Sequence, residues 1–362
     1  MREAQAAADF RLDRAGLADA RLHPRMAPDT HLSAARMGTH AVLDSGEGRG
    51  LSAVLAVSAE RLERRPGLRE KLLSMPQWRG RVVASSADEI AALYMRDPHA
   101  GIVPRAVSTL ADRFPSMSAR RTLSGLQALW MVLLACLIAY GAYAAPDTTG
   151  RWAVLALSLV FLSATALRLV AMLLPIPASH PWLDLTDAQL PVYTVLVPLY
   201  REAAMVPGLV GALNALDYPR EKLDIKMLLE EDDLETRIAV DAADLPPEYE
   251  ILAVPPEGPR TKPKALSVGL ALARGTLVCV FDAEDQPDPD QLRQAAGAFA
   301  LAGPHLACLQ ARLAYRNWNQ SLLTRQFAIE YAAQFDVMAP FICWSGLPLP
   351  LGGTSNHFRG IR

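Results

Sequence analysis

Asp282, Glu284 and Asp285 crowd three carboxylates into the four residues that follow the apolar run Leu277 to Phe281. A second acidic run, Glu230-Glu231-Asp232-Asp233, follows Ile225 to Leu229, and a polar cluster from Pro198 through Tyr200 to Glu202 follows Tyr193 to Val197. Carboxylates a few ångströms apart disfavour joint ionisation. A divalent cation between them removes that cost. Oxygen ligands at i and i+2, here Asp282 and Glu284, suit Mg²⁺ or Mn²⁺, which keep some waters and take phosphate oxygens of a substrate as further ligands. One acidic run alone reads equally well as a solvated loop end. Two such runs with Lys262 and Lys264 between them favour an anion-and-metal site. The two lysines, in Thr261-Lys262-Pro263-Lys264, open a helix expected over Lys264 to Ala273, so a cation and free helical N–H groups converge where a diphosphate can bind.

Short β-branched runs alternating with helical stretches must position these groups. Strands are expected at Tyr193–Val197, Ile225–Leu229, Tyr249–Val254 and Leu277–Phe281. Helices are expected at Met205–Leu216, Leu234–Ala243, Lys264–Ala273 and Pro289–Ala302. The alternation predicts an α/β domain with a largely parallel sheet and helices on both faces. In such sheets ligands bind beyond the carboxyl ends of the strands, where all three polar clusters fall. The chain has neither a GxxxxGK[ST] nor a GxGxxG motif, which argues against a P-loop enzyme or a dinucleotide dehydrogenase.

Upstream, the 362-residue chain divides by composition. Residues 1–118 are polar and arginine-rich and predict a small α/β or mostly helical accessory domain. Within it Leu55 to Leu73 and Ala87 to Tyr94 read as helices, Arg81 to Ala84 as a strand, and Met26 to Gly50 as loop. Residues 119–175 hold two apolar spans, about 123–145 and 152–174, separated by the turn Pro146 to Arg151. Each is long enough to cross a hydrocarbon core of about 30 Å, and the short turn predicts an antiparallel transmembrane hairpin. Arg113, Arg120 and Arg121 precede the first span, whereas the turn has only Arg151, so the positive-inside rule places both flanking domains in the cytosol. Residues 176–190 form a proline-rich linker to the α/β domain at 191–362.

Half the chain, 51%, is hydrophobic and the net charge is −2, a balance that fits a mixed membrane and soluble protein and gives no case for a nucleic-acid partner. The four cysteines are widely spaced and without a CxxC pair, so buried thiols are expected rather than a zinc or disulfide framework.

The stretches VYTVLVPLYREA, DYPREKLDIKMLLEEDDLET, TKPKALSVGLALARGTLVCVFDAEDQPDPDQL and LGGTSNHFR, in this order, resemble the catalytic domain of a family 2 glycosyltransferase of the cellulose-synthase-like, processive kind. The resemblance implies a GT-A fold and an inverting transfer from a nucleoside-diphosphate sugar, most readily a UDP-sugar, to a polysaccharide or lipid-linked acceptor at a bacterial-type inner membrane. It implies nucleotide-sugar contacts for Pro198, Tyr200, Glu202, Glu230, Asp232, Lys262 and Asp282. It further implies Mg²⁺ or Mn²⁺ on Asp282 and Glu284, with Asp285 a substitute ligand, and acceptor-side contacts for Thr354, Ser355 and His357. Leu322 to Phe341 resembles the family's amphipathic interface segment. The family's Thr-Glu-Asp motif, which carries the general base, and its Gln-x-x-Arg-Trp motif normally come after the stretch matched here, so a C-terminally incomplete domain is expected. The alternative is a nucleotide-sugar-binding or regulatory membrane protein that does not turn over.

Overall fold

The computed structural model describes residues 13–14, 20–22, 34–35, 40–44, 53–58, 70, 74–75, 82–97, 101–120, 122–174, 181–256 and 260–360. They form two compact units, one comprising Met1–Ser108, Pro181–Ala311 and Gly352–Arg362, the other Thr109–His180 and Arg312–Leu351.

The first unit contains two sheets. Strands β1 (Asp13–Arg14), β2 (His40–Asp44), β3 (Ala53–Val57) and β4 (Val82–Ala84) make a small sheet in the order β1-β4-β3-β2, followed by helices α1 (Ala87–Arg96) and α2 (Ile102–Arg113). β2 lies where loop was expected, and β3 occupies the start of the expected Leu55–Leu73 helix. Ala41 to Leu43 and Leu55 to Val57 are buried, so pairing and burial override the weak helical pattern. The rest of that expected helix lies largely outside the described residues.

The large sheet is built from β5 (Tyr193–Leu199), β6 (Leu223–Glu230), β7 (Tyr249–Val254), β8 (Leu277–Val280), β9 (Cys308–Gln310) and β10 (Asn356–Arg359), ordered β7-β6-β5-β8-β10-β9. The four strands expected from sequence are mutually parallel, and β10 pairs antiparallel with β8 and β9. β9 and β10 are too short to announce themselves by pattern. The chain runs outward from β5 to β7 and then returns to the other side of β5 as β8, which creates a switch point between the ends of β5 and β8.

Alternation along β5 sorts the two faces. Tyr193, Val195, Val197 and Leu199 face a core completed by α5 (Val206–Asn214), α6 (Leu234–Asp241) and, further along the chain, α8 (Gln291–Ala302). Leu196, with Leu228, Leu252 and Val280, faces a second core completed by α7 (Lys262–Ala271) and by Ile90, Leu93 and Tyr94 of α1. Helices thus cover both faces of the sheet, as the alternation of strands and helices predicts. A Cβ on Gly269 of α7 would meet Leu228 Cδ1 at 2.8 Å, so glycine permits the close approach that brings the N-terminus of α7 to the strand ends.

On the same face, at the start of the strands, Lys226 is fully buried between Glu250 (2.6 Å) and Asp224 (3.1 Å). Asp224 also accepts from Thr194 Oγ1 (2.8 Å) and from Arg274 Nε (2.9 Å). Burial alone would raise the Asp224 pKa, but the charges of Lys226 and Arg274 and the hydrogen bonds of Arg274 and Thr194 hold the carboxyl well below the usual range.

In the second unit α3 (Gly125–Ala144) and α4 (Pro146–Leu173) pack together and present apolar side chains outward. The expected six-residue turn is itself helical: α4 begins at Pro146, because proline is at home in the first turn of a helix. Both helices are long and apolar enough to cross a membrane. α4 also contacts a π-helical segment, Ala333–Met338, which joins α9 (Leu322–Ala332) to α10 (Ala339–Trp344).

Candidate functional site

The carboxyl ends of β5, β6 and β8 and the N-terminus of α7 enclose a cleft of about 320 Å³. Of the residues singled out from sequence, Pro198, Tyr200, Glu202, Glu230, Lys262, Asp282 and Glu284 line it.

The β5 end turns sharply at Arg201, whose φ of 58° lies in the left-handed region. The turn is held by the N-terminus of α6. Arg201 N–H donates to the Asp233 carboxylate, and Glu202 N–H donates to Thr236 Oγ1 at 3.0 Å. Asp233 also caps α6 through Thr236 N–H at 3.2 Å. Burial pushes the Asp233 carboxyl up, but the hydrogen bonds from Arg201 and Thr236 outweigh it and leave the pKa below the ordinary value. The last acid of the second acidic run is therefore a positioning residue. Asp232 does not line the cleft. It pairs at 2.7 Å with Arg260, which does, and both side chains are substantially exposed.

Glu230 is buried, and its charge is met from within the protein. Lys264 Nζ lies 3.2 Å from its carboxylate and also donates to Pro255 O at 2.6 Å. The lysine pair thus divides its work. Lys264 serves the protein, whereas Lys262, about one-third exposed, faces the cleft.

At the β8 end Lys262 Nζ donates to the Asp282 carboxylate and, at 2.8 Å, to Gly353 O. Asp285 is turned away from the expected ligand role. Its Oδ2 accepts from Asp282 N–H at 2.7 Å and from the Thr354 hydroxyl. Burial raises the Asp285 pKa, the Thr354 and Asp282 hydrogen bonds oppose this, and the Asp282 charge adds to the rise, leaving it above its ordinary value. Glu202 is also raised, first by burial and then by the charges of Asp282 and Glu284, against a hydrogen bond from Tyr200 N–H and the charge of Lys262.

The three residues expected on the acceptor side do not line the cleft. The Thr354 hydroxyl is engaged by Asp285 and by Asp282 N–H at 3.1 Å. Ser355 is buried in a left-handed conformation with φ of 53°. His357, only 1% exposed, is locked between Tyr193 Oη (2.7 Å to Nδ1) and Gln291 Nε2 (3.0 Å to Nε2). Burial pushes its pKa down to about 4, so the ring is neutral at physiological pH. His357 sits on β10, whose alternation turns its ring into the core with Tyr193 and Phe281.

Four carboxylates line the cleft (Glu202, Glu230, Asp282, Glu284) against two cations (Arg260, Lys262). With Glu230 already met by Lys264, the carboxylates of Asp282 and Glu284 at the end of β8, with Glu202 across the cleft, fit a divalent cation. No group of three or more His, Cys, Asp or Glu side chains that could hold a metal occurs among the described residues. A cation on Asp282 and Glu284 must then complete its shell with water and ligand oxygens, as Mg²⁺ commonly does with phosphates. Sequence reasoning missed Arg260 and the Thr354–Asp285 contact. Arg260 sits two residues before Lys262 and was legible as a second cation. The hydroxyl–carboxylate contact spans 69 residues and left no local signal.

Residues 191–341 match the family model described as "Glycosyltransferase like family 2". Among curated relatives, glucomannan 4-beta-mannosyltransferase 2 of Arabidopsis thaliana is 27% identical over 162 residues, which cover 41% of this chain and 29% of the relative. The probable glycosyltransferase YdaM of Bacillus subtilis (strain 168) is 27% identical over 104 residues, covering 28% of this chain and 24% of the relative. The matched stretches therefore span less than a third of either relative's length. Among solved structures, the mannosyltransferase PcManGT from Pyrobaculum calidifontis, in complex with GDP-Man and Mn²⁺, matches with 22% identity and a TM-score of 0.40 over 56% of this chain and 55% of its own. Residues 191–341 are thus similar to family 2 glycosyltransferases, and the strand ends that frame the cleft lie within the matched stretch.

Proposed function

We propose that the cleft binds a nucleoside-diphosphate sugar with Mg²⁺ or Mn²⁺ and that the complete protein transfers the sugar, with inversion, to a polysaccharide or lipid-linked acceptor at a membrane. The observation that carries this is the convergence of Tyr200, Glu230, Lys262, Asp282 and Glu284, from three strand ends and one helix start, on a single cleft. Tyr200 offers an exposed ring to the base, and the acid at the end of β6 offers acceptors to base or ribose. Asp282 and Glu284 hold the divalent ion, which when bound neutralises charge on the leaving diphosphate. Lys262 adds a second positive charge at the same place, and the free N–H groups at the start of α7 add a favourable dipole. UDP is the favoured nucleotide.

The apolar helices α3 and α4 form a transmembrane hairpin in this scheme, with the N-terminal region and the glycosyltransferase domain on the cytosolic side of a bacterial-type inner membrane. Their exposed apolar surfaces and the arginines ahead of α3 support that arrangement.

Titration of UDP-, GDP- and ADP-sugars with and without Mn²⁺, on the wild type and Asp282→Ala, tests the site. Metal-dependent binding of one nucleotide class, lost in the variant, is expected. Binding that ignores the metal, or survives the substitution unchanged, would sink it.

A further inference from the structure

The segment between the end of α2 and the start of α3 is built to lie on a surface. Within residues 109–123, Leu110, Phe114 and Met117 follow one another at i, i+4 and i+7 and are 53%, 52% and 76% exposed. The last turn of α2 carries the first; the helix breaks at Phe114 (φ −135°, ψ 65°), and a 3₁₀ turn, Pro115–Met117, follows, with Met117 N–H bonded to Phe114 O at 2.9 Å. Three large apolar side chains this exposed, so close together in the chain, mark an interaction patch rather than scattered surface residues. The same stretch holds one acid, Asp112, against Arg113, Arg120 and Arg121 in sequence, and Arg113 and Arg120 are exposed.

Two observations identify what covers this face. Met117 lies one short connection ahead of α3, whose start is fixed by a reciprocal capping box between Ser124 and Gln127 and which is predominantly apolar and outward-facing. A bilayer that surrounds α3 has its headgroup layer beside Leu123, hence beside this segment. The charge is also one-sided. The α3–α4 junction has Asp147 and Arg151, which cancel, whereas the 109–123 side has an excess of two positive charges. Apolar anchors with arginines beside them suit an anionic lipid surface.

We infer that residues 109–123 dock as an interfacial anchor on the anionic leaflet from which α3 enters the membrane, Leu110, Phe114 and Met117 entering the acyl boundary and Arg113 and Arg120 contacting headgroup phosphates. This rests on the transmembrane assignment of α3 and α4 above. Its consequence is that the lipid surface orients the chain immediately ahead of α3 and responds to lipid charge.

Spin labels test it on the full chain in nanodiscs of phosphatidylcholine, with and without phosphatidylglycerol, in a Cys136→Ala, Cys343→Ala background. Labels go at Met117→Cys, at the neighbouring Ser116→Cys and, as a bilayer reference, at Val160→Cys in α4. The label at 117 is expected to favour oxygen over a water-soluble nickel chelate severalfold more than the label at 116. Phosphatidylglycerol should strengthen that preference, and Arg113→Gln with Arg120→Gln should remove the strengthening. If 117 is as wet as 116 while 160 is dry, the anchor is overturned and the membrane assignment stands. If 160 is wet, both fall. Shielding of 117 from both reagents would mean that a protein surface covers it, which also overturns the anchor.

Discussion

Lys262 holds the Asp282 carboxylate and the Gly353 carbonyl with the same ammonium group. The lysine therefore ties the start of α7, the end of β8 and the loop ahead of β10 to one another where a cation is wanted. A divalent ion held by Asp282 and Glu284 would compete with Lys262 for that carboxylate and would leave the ammonium free to meet a diphosphate. Lys262→Met should weaken nucleotide-sugar binding by about 10- to 100-fold, the worth of one charged hydrogen bond. Isothermal titration with the metal present reads this directly, and an unchanged Kd would remove Lys262 from the site.

Glu284 has no positioning contact of the kind that ties down Asp285. Glu284→Gln should reduce the metal's effect on donor binding and leave the melting temperature nearly unchanged, because exposed residues without buried partners contribute within about 0.5 kcal/mol. A large drop in thermal stability would reassign Glu284 to the scaffold.

Thr354 and Asp285 form the opposite case. Their contact, with Asp282 N–H on both acceptors, fixes the loop that presents Asp282. Thr354→Val leaves Asp285 short of a donor and should cost about 1–3 kcal/mol of stability. Thr354→Ser should restore most of it. Equal melting temperatures for the threonine, serine and valine forms would show that the hydroxyl does not matter.

His357 gives a pH dependence with a definite sign. Its folded pKa of about 4 lies below the ordinary 6.5, so as pH falls the unfolded chain takes up the proton first. Its stabilising contribution is complete above about pH 6.5, is lost between about 6.5 and 4, and amounts to about 3 kcal/mol. Thermal melts of the full chain in detergent should fall over that window. His357→Gln should flatten the window while leaving donor affinity in place, because the ring is buried away from the cleft lining. Loss of donor affinity without loss of stability would restore His357 to the site.

The buried network at the other end of the strands sets a stability limit. Lys226→Met removes the buried cation between Asp224 and Glu250, leaving Asp224 with Arg274, and should cost about 3–5 kcal/mol. The register that pairs Lys226 with Glu250 makes this a test of the β6–β7 alignment. A variant that melts within a degree or two of the wild type would contradict it.

Much of the donor side was legible in the sequence because it is local. Parallel strands that end in polar clusters put those clusters at one sheet edge, so Tyr200, Glu230, Asp282 and Glu284 could be named from adjacency to apolar runs, and Lys262 from its place between the acidic runs at the start of a helix. The two long apolar helices were legible for the same reason. What needed the tertiary structure was every choice between like residues. Asp232 and Asp233 both belong to one acidic run, yet one pairs with Arg260 at the rim and the other caps α6. Lys264 is consumed by Glu230, whereas Lys262 is not. Asp285 faces Thr354 because β10 returns antiparallel beside β8, and that same pairing carries His357 into the core. A pairing that spans some seventy residues leaves no periodic trace, so composition proposed the chemistry at Asp282 and long-range register decided which neighbours serve it.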